Sequence, residues 1–402
     1  MQRGSFQWMK SLNKSIVLNK IRTSGQISRA QIAKETTLTP PTVGSIVKEL
    51  LEQGIVKESE LGTSRGGRKP TMLAINSAEF FIIGVDAGPQ NMEFILSDLS
   101  GSITAYTAAE LTENITKDAF MTTLKTGISE LLGKVKDQKE KILGIGVAMH
   151  GMVDVTRGIS LFAPNLNLRD IPIKQELEQC FDFEVKVEND ARAMALGEAW
   201  FSGSAEEESM LAVNVGRGIG AGLLINGKLF HGHNDIAGEV GHMIIDIDGK
   251  RCTCGNRGCL QTLASGPAIE QRAKEALLTG EVDLPADWLT KRDLNISGEA
   301  IHAAAQQGNV FCQHLLTDAG RFIGIGLTNL IHIMNPAKIV VGGGVSQAGD
   351  FILTPVKEVI AERALTLKAK DTKVVLSSLA DRATLLGAVA LVLIELFEPA
   401  LT

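Results

Sequence analysis

No run of 18 consecutive apolar residues occurs in this 402-residue chain, so no membrane-spanning helix is expected. The opening residues, MQRGSFQWMKSLNKS, lack the apolar stretch of a secretory signal, and a cytoplasmic protein is the expectation. Cysteine is scarce, with five in all, and without an export signal these are not expected to form a disulfide framework. Apolar residues still make up 44% of the chain, ample for a folded core, and the length suggests two or three domains.

Three of the five cysteines crowd into the eight residues Cys252–Cys259, and His242 precedes the first by ten, in GHMIIDIDGKRCTCGNRGC. Thiolate and imidazole are the ligands that zinc favours, and four of them close a tetrahedron. His242, Cys252, Cys254 and Cys259 are therefore the candidate ligands of a structural Zn(2+), with no position left open for catalysis. Gly255 and Gly258 allow the tight backbone such a loop needs. The two outlying cysteines, Cys180 and Cys312, are expected in the core.

The net charge of −6 conceals an asymmetry. Residues 1–70 hold 12 basic and 5 acidic residues, and the remainder holds 28 and 41. A basic segment on an acidic body suggests a nucleic-acid module. The pattern of that segment fits a winged helix-turn-helix. Asn13 to Arg22 carries an apolar helical stripe at 16, 17, 18 and 21. Ser28 is placed to cap a second helix that buries Ile32 and Ala33. Thr39 is placed to cap a third, with Pro40 at its first position. Val43, Ile46, Val47, Leu50 and Leu51 form one buried stripe on that helix. Gly54 ends it and a strand-like wing follows.

The opposite face of the third helix offers Thr42, Ser45 and Lys48. With Thr39 they are the candidate DNA contacts, short hydroxyls for base edges and an ammonium for phosphate. An ordinary solvated face is the alternative reading. In SRGGRKP, residues 64–70, Arg65, Arg68 and Lys69 on a glycine-rich arm suit a narrow minor groove, or a plain basic linker.

Beyond residue 78 the chain alternates apolar strands, glycine turns and helical stretches, an α/β pattern. FFIIGVDAG, MLAVNVGRGIGAGLLING and AKIVVGGGVS each end or turn on glycines whose N–H groups could approach a phosphate. Two similar strand–turn–strand units suggest a duplicated, two-lobed body. VENDARA sets Glu188, Asn189 and Asp190 after an apolar strand, and NDIAGEVGH sets Glu239 three residues before His242. Carboxylates beside amides suit sugar hydroxyls, and an Asp there could serve as a general base. Helix caps and surface ion pairs are the bland alternative.

CTCGNRGC with GEVGH upstream resembles the ROK family of bacterial sugar kinases and sugar-responsive repressors. The resemblance runs over essentially the whole chain. It implies an N-terminal winged helix-turn-helix, all-α with a small wing, on an α/β actin-like (ribonuclease H-like) body. The implied boundaries are 1–72 for the head with its RGGR linker and 78–195 for lobe 1, completed by a C-terminal helix at 381–402. Lobe 2 would span 196–380, with the zinc loop and an oligomerisation surface. The winged head marks the repressor branch, and APNLNLRDI and SRGGRKP look most like its xylose-responsive group.

The resemblance implies sugar contacts at Asn189, Asp190, Glu239 and His242. His242 would then serve metal and sugar through its two nitrogens. Family kinases use the position of Asp190 as the base. Three positions depart from the family pattern. Gln261 stands where the family usually has Glu after the last cysteine; an amide can still bond a hydroxyl, without the charge. The first phosphate turn reads Asp86-Ala87-Gly88-Pro89, without its hydroxyl and with one backbone donor fewer. The second reads Gly216-Arg217-Gly218, while the third, Gly342 to Gly344, is retained. The expectation is a non-enzymatic repressor of carbohydrate genes, xylose first. It would bind operator DNA as a homodimer or homotetramer and be released by xylose, glucose or an amino sugar. A sugar kinase with an appended DNA-binding domain is the alternative.

Overall fold

A computed structural model describes residues 2–61, 70–112, 114–203, 209–279 and 296–397. The chain divides into two compact units, Met1–Asp190 with Ala388–Thr402, and Ala191–Gly387.

The first unit begins with three helices, α1 (Gln2–Ser24), α2 (Arg29–Thr36) and α3 (Pro40–Glu52). α1 is longer than its apolar stripe, which buries Val17, Leu18 and Ile21 and leaves Ile16 at the surface. Ser28 caps α2 through a reciprocal box: its hydroxyl accepts from the Gln31 N–H at 3.3 Å, and Gln31 Oε1 accepts from the Ser28 N–H. Thr37, in the left-handed region at φ 58°, stops the helix. Thr39 accepts from the Thr42 N–H at 3.4 Å and starts α3, with Pro40 in the first turn, where its missing N–H costs nothing. Val43, Ile46, Val47 and Leu50 are buried as the stripe requires, and Leu51 lies at its margin.

β1 (Ile27–Ser28), β2 (Val56–Leu61) and β3 (Thr71–Ile75) form an antiparallel sheet in the order β1-β3-β2, so the head's sheet continues past residue 72. The end of α1 is tied to the C-terminal helix, Ala383–Phe397. Asn19 donates to the Phe397 carbonyl at 2.7 Å, and the Arg22 guanidinium lies 5.6 Å from the centre of the Phe397 ring.

The rest of the first unit centres on a five-stranded sheet. β4 (Phe81–Ala87), β5 (Asn91–Asp98) and β6 (Ile103–Glu110) make an antiparallel meander, and β7 (Ile142–Met149) pairs parallel to β4. Beyond a small sheet of β8 (Met152–Asp154), β9 (Ile159–Ala163) and β10 (Leu168–Ile171), β11 (Val185–Asn189) pairs parallel to β7. β7 is apolar and buried almost throughout, as a strand covered on both faces must be. Phe120, Leu124, Ile128 and Leu131 of the helix Lys117–Lys134 pack in its core cluster.

The second unit repeats the plan. β12 (Ser209–Val215), β13 (Ile219–Ile225) and β14 (Lys228–Leu229) form an antiparallel meander; β15 (Lys338–Gly342) and β16 (Lys373–Leu376) add in parallel. The sheet orders, β11-β7-β4-β5-β6 and β14-β13-β12-β15-β16, have one topology, so the duplicated strand–turn–strand pattern of the sequence is a duplicated sheet.

Cys312 is buried as expected, but Cys180 is exposed in the last turn of the helix Ile173–Phe181. Cys180 continues the stripe of Ile173 and Leu177, but the last turn of that helix carries it to an exposed position. Among the described residues, no helix is long and apolar enough to cross a membrane.

Candidate functional site

His242, Cys252, Cys254 and Cys259 come together. Their ligand atoms all lie within 4.8 Å of one another. Cys252 Sγ is 3.7 Å from His242 Nδ1, and Cys254 Sγ is 3.7 Å from Cys259 Sγ. A zinc ion at about 2.3 Å from each sulfur in a tetrahedron would hold the sulfurs about 3.8 Å apart, so the donor set fits the ion.

The loop is built by backbone pairing and glycine. Ile244 bridges to Cys259 and Arg251 to Arg257. Leu260 N–H bonds to Met243 O at 2.8 Å, and Ile245 N–H to Gly258 O at 2.8 Å. Gly258 has φ 65°, and a Cβ there would fall 1.4 Å from the Asp246 carbonyl oxygen; no other residue fits. Upstream, Gly238 has φ 99°, and its Cβ would lie 1.9 Å from the Ala221 oxygen. This lets GEVGH lie along β13, with Ala221 N–H donating to Gly238 O at 2.8 Å.

The thiols influence one another. Burial works to raise Cys252, but hydrogen bonds from the backbone and side chain of Cys254, and from His242 and Cys259, outweigh it and bring Cys252 down to about 6. Burial pushes Cys259 up to about 12, helped by its two sulfur neighbours. Three crowded sulfurs cannot all ionise unless a cation joins them, and a metal ion supplies that charge.

With Nδ1 facing the sulfurs, His242 turns Nε2 toward Glu239 Oε2, 3.9 Å away. Gln261 begins the helix Gln261–Ala264 directly after the loop, and its Nε2 donates to Cys252 Sγ at 3.3 Å. A glutamate at that position has no hydrogen to give a sulfur and adds a second negative charge. The amide at 261, which the sequence sets apart as a candidate sugar contact, thus also supports a candidate metal ligand. Gln261→Leu, which keeps the bulk and gives the sulfur no hydrogen, should weaken metal binding at the candidate site by roughly ten- to hundred-fold, the usual effect of losing a partner behind a ligand, read by competition with a chelating dye.

The first unit places its own group at the ends of β7 and β11. Asn189 Nδ2 donates to Asp190 Oδ1 at 2.9 Å and to the Gly151 carbonyl at 3.0 Å, so the pair is held in one orientation. Both keep part of their surface open. Glu188 does not join them; it is buried, and its carboxylate accepts from the Asn189 N–H at 2.7 Å. The bland reading applies to Glu188 because strand alternation turns it inward. The structure thus brings the five sugar-site candidates together in two groups, Asn189 with Asp190, and Glu239, His242 and Gln261 around the metal loop.

Asp86, at the end of β4, was read in the sequence only as part of a phosphate turn. Burial, then the nearby charges of Asp190 and Glu93, push its carboxyl up to about 8. A polar residue ending an apolar strand was the available signal, but its neighbours come from β5 and from the residue just after β11. The turn Gly216–Gly218 is closed by a Gly216 N–H to Gly218 O bond of 2.9 Å, with Arg217 exposed between. At the third turn, Gly343 has φ 83°.

On the head, Thr39, Ser45 and Lys48 are exposed and Thr42 is half-buried. The Thr39 and Thr42 hydroxyls bond each other at 2.8 Å, so both also serve the helix start. Lys48 lies 3.8 Å from Glu52, an exposed pair of little energetic weight. Arg65, Arg68 and Lys69 lie outside the described residues.

Residues 82–395 match the sequence profile of the ROK family. The chain belongs to the ROK family. Among ROK proteins it is 33% identical to the xylose repressor of Caldicellulosiruptor bescii over 395 residues, 98% of each chain. A crystal structure of a ROK family transcriptional regulator, a homologue of the Escherichia coli Mlc protein, superimposes with a TM-score of 0.83 at 30% identity, covering 96% of each chain. A ROK glucokinase from Streptomyces griseus, solved with glucose and AMPPNP, has a TM-score of 0.65 at 29% identity. It covers 77% of this chain and 97% of its own, so the match to that kinase leaves nearly a quarter of this chain uncovered.

Proposed function

We propose that the protein is a cytoplasmic transcriptional repressor of carbohydrate genes whose hold on operator DNA is loosened by a sugar. The observation that carries the reading is the pairing of a basic three-helix head with a ROK body in which two of the three phosphate turns depart from the family pattern. The full-length likeness to a xylose repressor supports it and makes xylose the first effector to test, ahead of glucose or an amino sugar.

The head is read as a winged helix-turn-helix, with α3 as the recognition helix. Thr39, Thr42, Ser45 and Lys48 face the major groove, and β2 with β3 forms the wing. Arg65, Arg68 and Lys69 enter the neighbouring minor groove. Two heads of a homodimer or homotetramer meet two half-sites. Asn189, Asp190, Glu239, His242 and Gln261 are the residues proposed to recognise the sugar. His242, Cys252, Cys254 and Cys259 hold a structural zinc that orients His242 toward the sugar.

DNA selected by the protein from a random library, labelled and titrated by fluorescence anisotropy, tests the proposal. Xylose, glucose or N-acetylglucosamine should weaken binding roughly 5- to 150-fold, the range of an allosteric coupling of about 1–3 kcal/mol. If no sugar changes the affinity, the effector reading fails. Replacing Arg65 and Arg68 together by Ala should weaken DNA binding and flatten its salt dependence, because fewer counterions are released, and leave sugar binding unchanged by calorimetry. Loss of sugar binding in that variant would overturn the assignment of the arm.

Asp190 favours a second reading, that of a sugar kinase, since a half-buried carboxylate beside a sugar can take a hydroxyl proton. Phosphoryl transfer depends on positioning and charge. Against it stand Pro89, which takes one N–H from the first phosphate turn, and Arg217, where the second turn departs from the family pattern. Sugar-dependent ADP release, abolished by Asp190→Asn, would establish the kinase.

A further inference from the structure

His150 closes β7 in the sequence Met149-His150-Gly151, and only 4% of its surface is exposed. Its Nδ1 lies 3.2 Å from the Ala87 carbonyl oxygen. A carbonyl can only accept, so Nδ1 carries the hydrogen. Burial holds the ring's pKa below its ordinary value, against the bond to Ala87, so the ring is neutral. Nε2 is then a bare lone pair. It is buried and, among the described residues, has no hydrogen-bond partner. An acceptor left in that state is costly, and the cost is relieved by a donor from outside.

The place of the ring says which donor. Ala87 and Asn189 both stand opposite Met149, one on each side of β7, so the three strands end level. The residue after His150 is Gly151, whose carbonyl anchors the Asn189 amide. That amide also holds Asp190. Ala87, which accepts from His150, follows Asp86, whose carboxyl feels the charge of Asp190. His150 is thus bonded to the residue after Asp86 and is next in sequence to Gly151, the anchor of the Asn189 amide.

We infer that His150 Nε2 accepts a hydrogen bond from a hydroxyl of the sugar held by Asn189 and Asp190. The inference rests on the sugar reading of those two residues and adds a specificity residue to it. It also sets the chemistry of the ligand at that point: a neutral hydroxyl, which has a hydrogen to give. A fully ionised phosphate offers only acceptors and would face a lone pair, so the effector carries a free hydroxyl there.

The experiment is a cycle between protein and ligand. Wild type and His150→Phe are titrated by calorimetry with D-xylose, D-glucose and N-acetylglucosamine, then with the monodeoxy forms of whichever binds. One deoxy sugar should bind wild type roughly 3- to 10-fold more weakly than its parent, a neutral hydrogen bond's worth. In His150→Phe that penalty should vanish. A variant that binds the parent sugar and keeps every deoxy penalty would overturn the inference, because a buried water would then satisfy the ring. Wild type binding none of the sugars would instead overturn the sugar reading itself. Should His150→Phe misfold, nitrogen-15 NMR of the histidines in the unaltered protein decides: the Nε2 signal of His150 shifts upfield on sugar binding, and an unmoved signal refutes the contact.

Discussion

Cys254→Ser should release the bound metal and unfold the loop from Met243 to Cys259, the largest loss expected of any single change in this chain. Cys254 is exposed, so the substitution removes little packing and tests the ligand role alone. Its sulfur sits 3.7 Å from that of Cys259, and a hydroxyl is a far weaker zinc ligand than a thiolate. Met243 and Ile245 pack against the core and backbone bonds such as Ile245 N–H to Gly258 O hold the ends of the loop, but the cysteines themselves have the metal as their common partner in the proposed site. Ile244 and Ile247 point to solvent, and two isolated bridges are its backbone ladder. Structural zinc contributes on the order of 10 kcal/mol to small sites, and much of that is folding energy. Zinc content should fall from one per chain to near zero, and sugar binding should fall with it because His242 loses its orientation. A chelator should reproduce the effect in wild type, and so should acid, since the ligands bind metal only when deprotonated. A metal-free Cys254→Ser protein with unchanged Tm and full response to sugar would show that the loop needs no ion.

Asp86→Asn should stabilise the protein, and more so as pH rises. The Asp86 carboxyl is near 3.8 in an unfolded chain and about 8 in the folded one. Below about pH 4 it is protonated in both states and costs nothing. Between about 4 and 8 the folded state must take up a proton that the unfolded state has released, so stability falls with rising pH across that window. At pH 7 the cost reaches about 4 kcal/mol as an upper figure, less the share screened by the open part of the residue. Asparagine keeps the shape and removes the proton uptake. Melting curves from pH 5 to 8 should show the variant rising above wild type, with the gap widening toward pH 8. Parallel curves would mean that Asp86 is ionised in the folded protein.

How far each feature was readable follows from the distance over which its cause acts. The α2 and α3 caps were legible because a cap is a contact of three residues. The duplicated sheet was legible as two strand–glycine–strand patterns, since alternation and burial are local. The reach of α1 back to Gln2 was not, because its apolar stripe begins only near its middle. Cys180 was misplaced in the core because it is in register with Ile173 and Leu177, yet the end of that helix is exposed. Glu188 read like its neighbours, yet alternation along β11 sends it to the opposite face from Asn189, and it is buried.

The sequence by itself determined the metal loop. Four ligands within eighteen residues, with glycines where φ must be positive, are a short-range arrangement that few other chemistries need. It also determined the basic head, the α/β body and the family. Only the tertiary structure decided what the ligands and carboxylates touch. Gln261 donates to Cys252, His242 divides its nitrogens between sulfur and Glu239, and Asp86 and His150 become unusual through strands distant in sequence. Desolvation and unpaired acceptors depend on everything packed around a group, and that is set by folding, not by spacing along the chain.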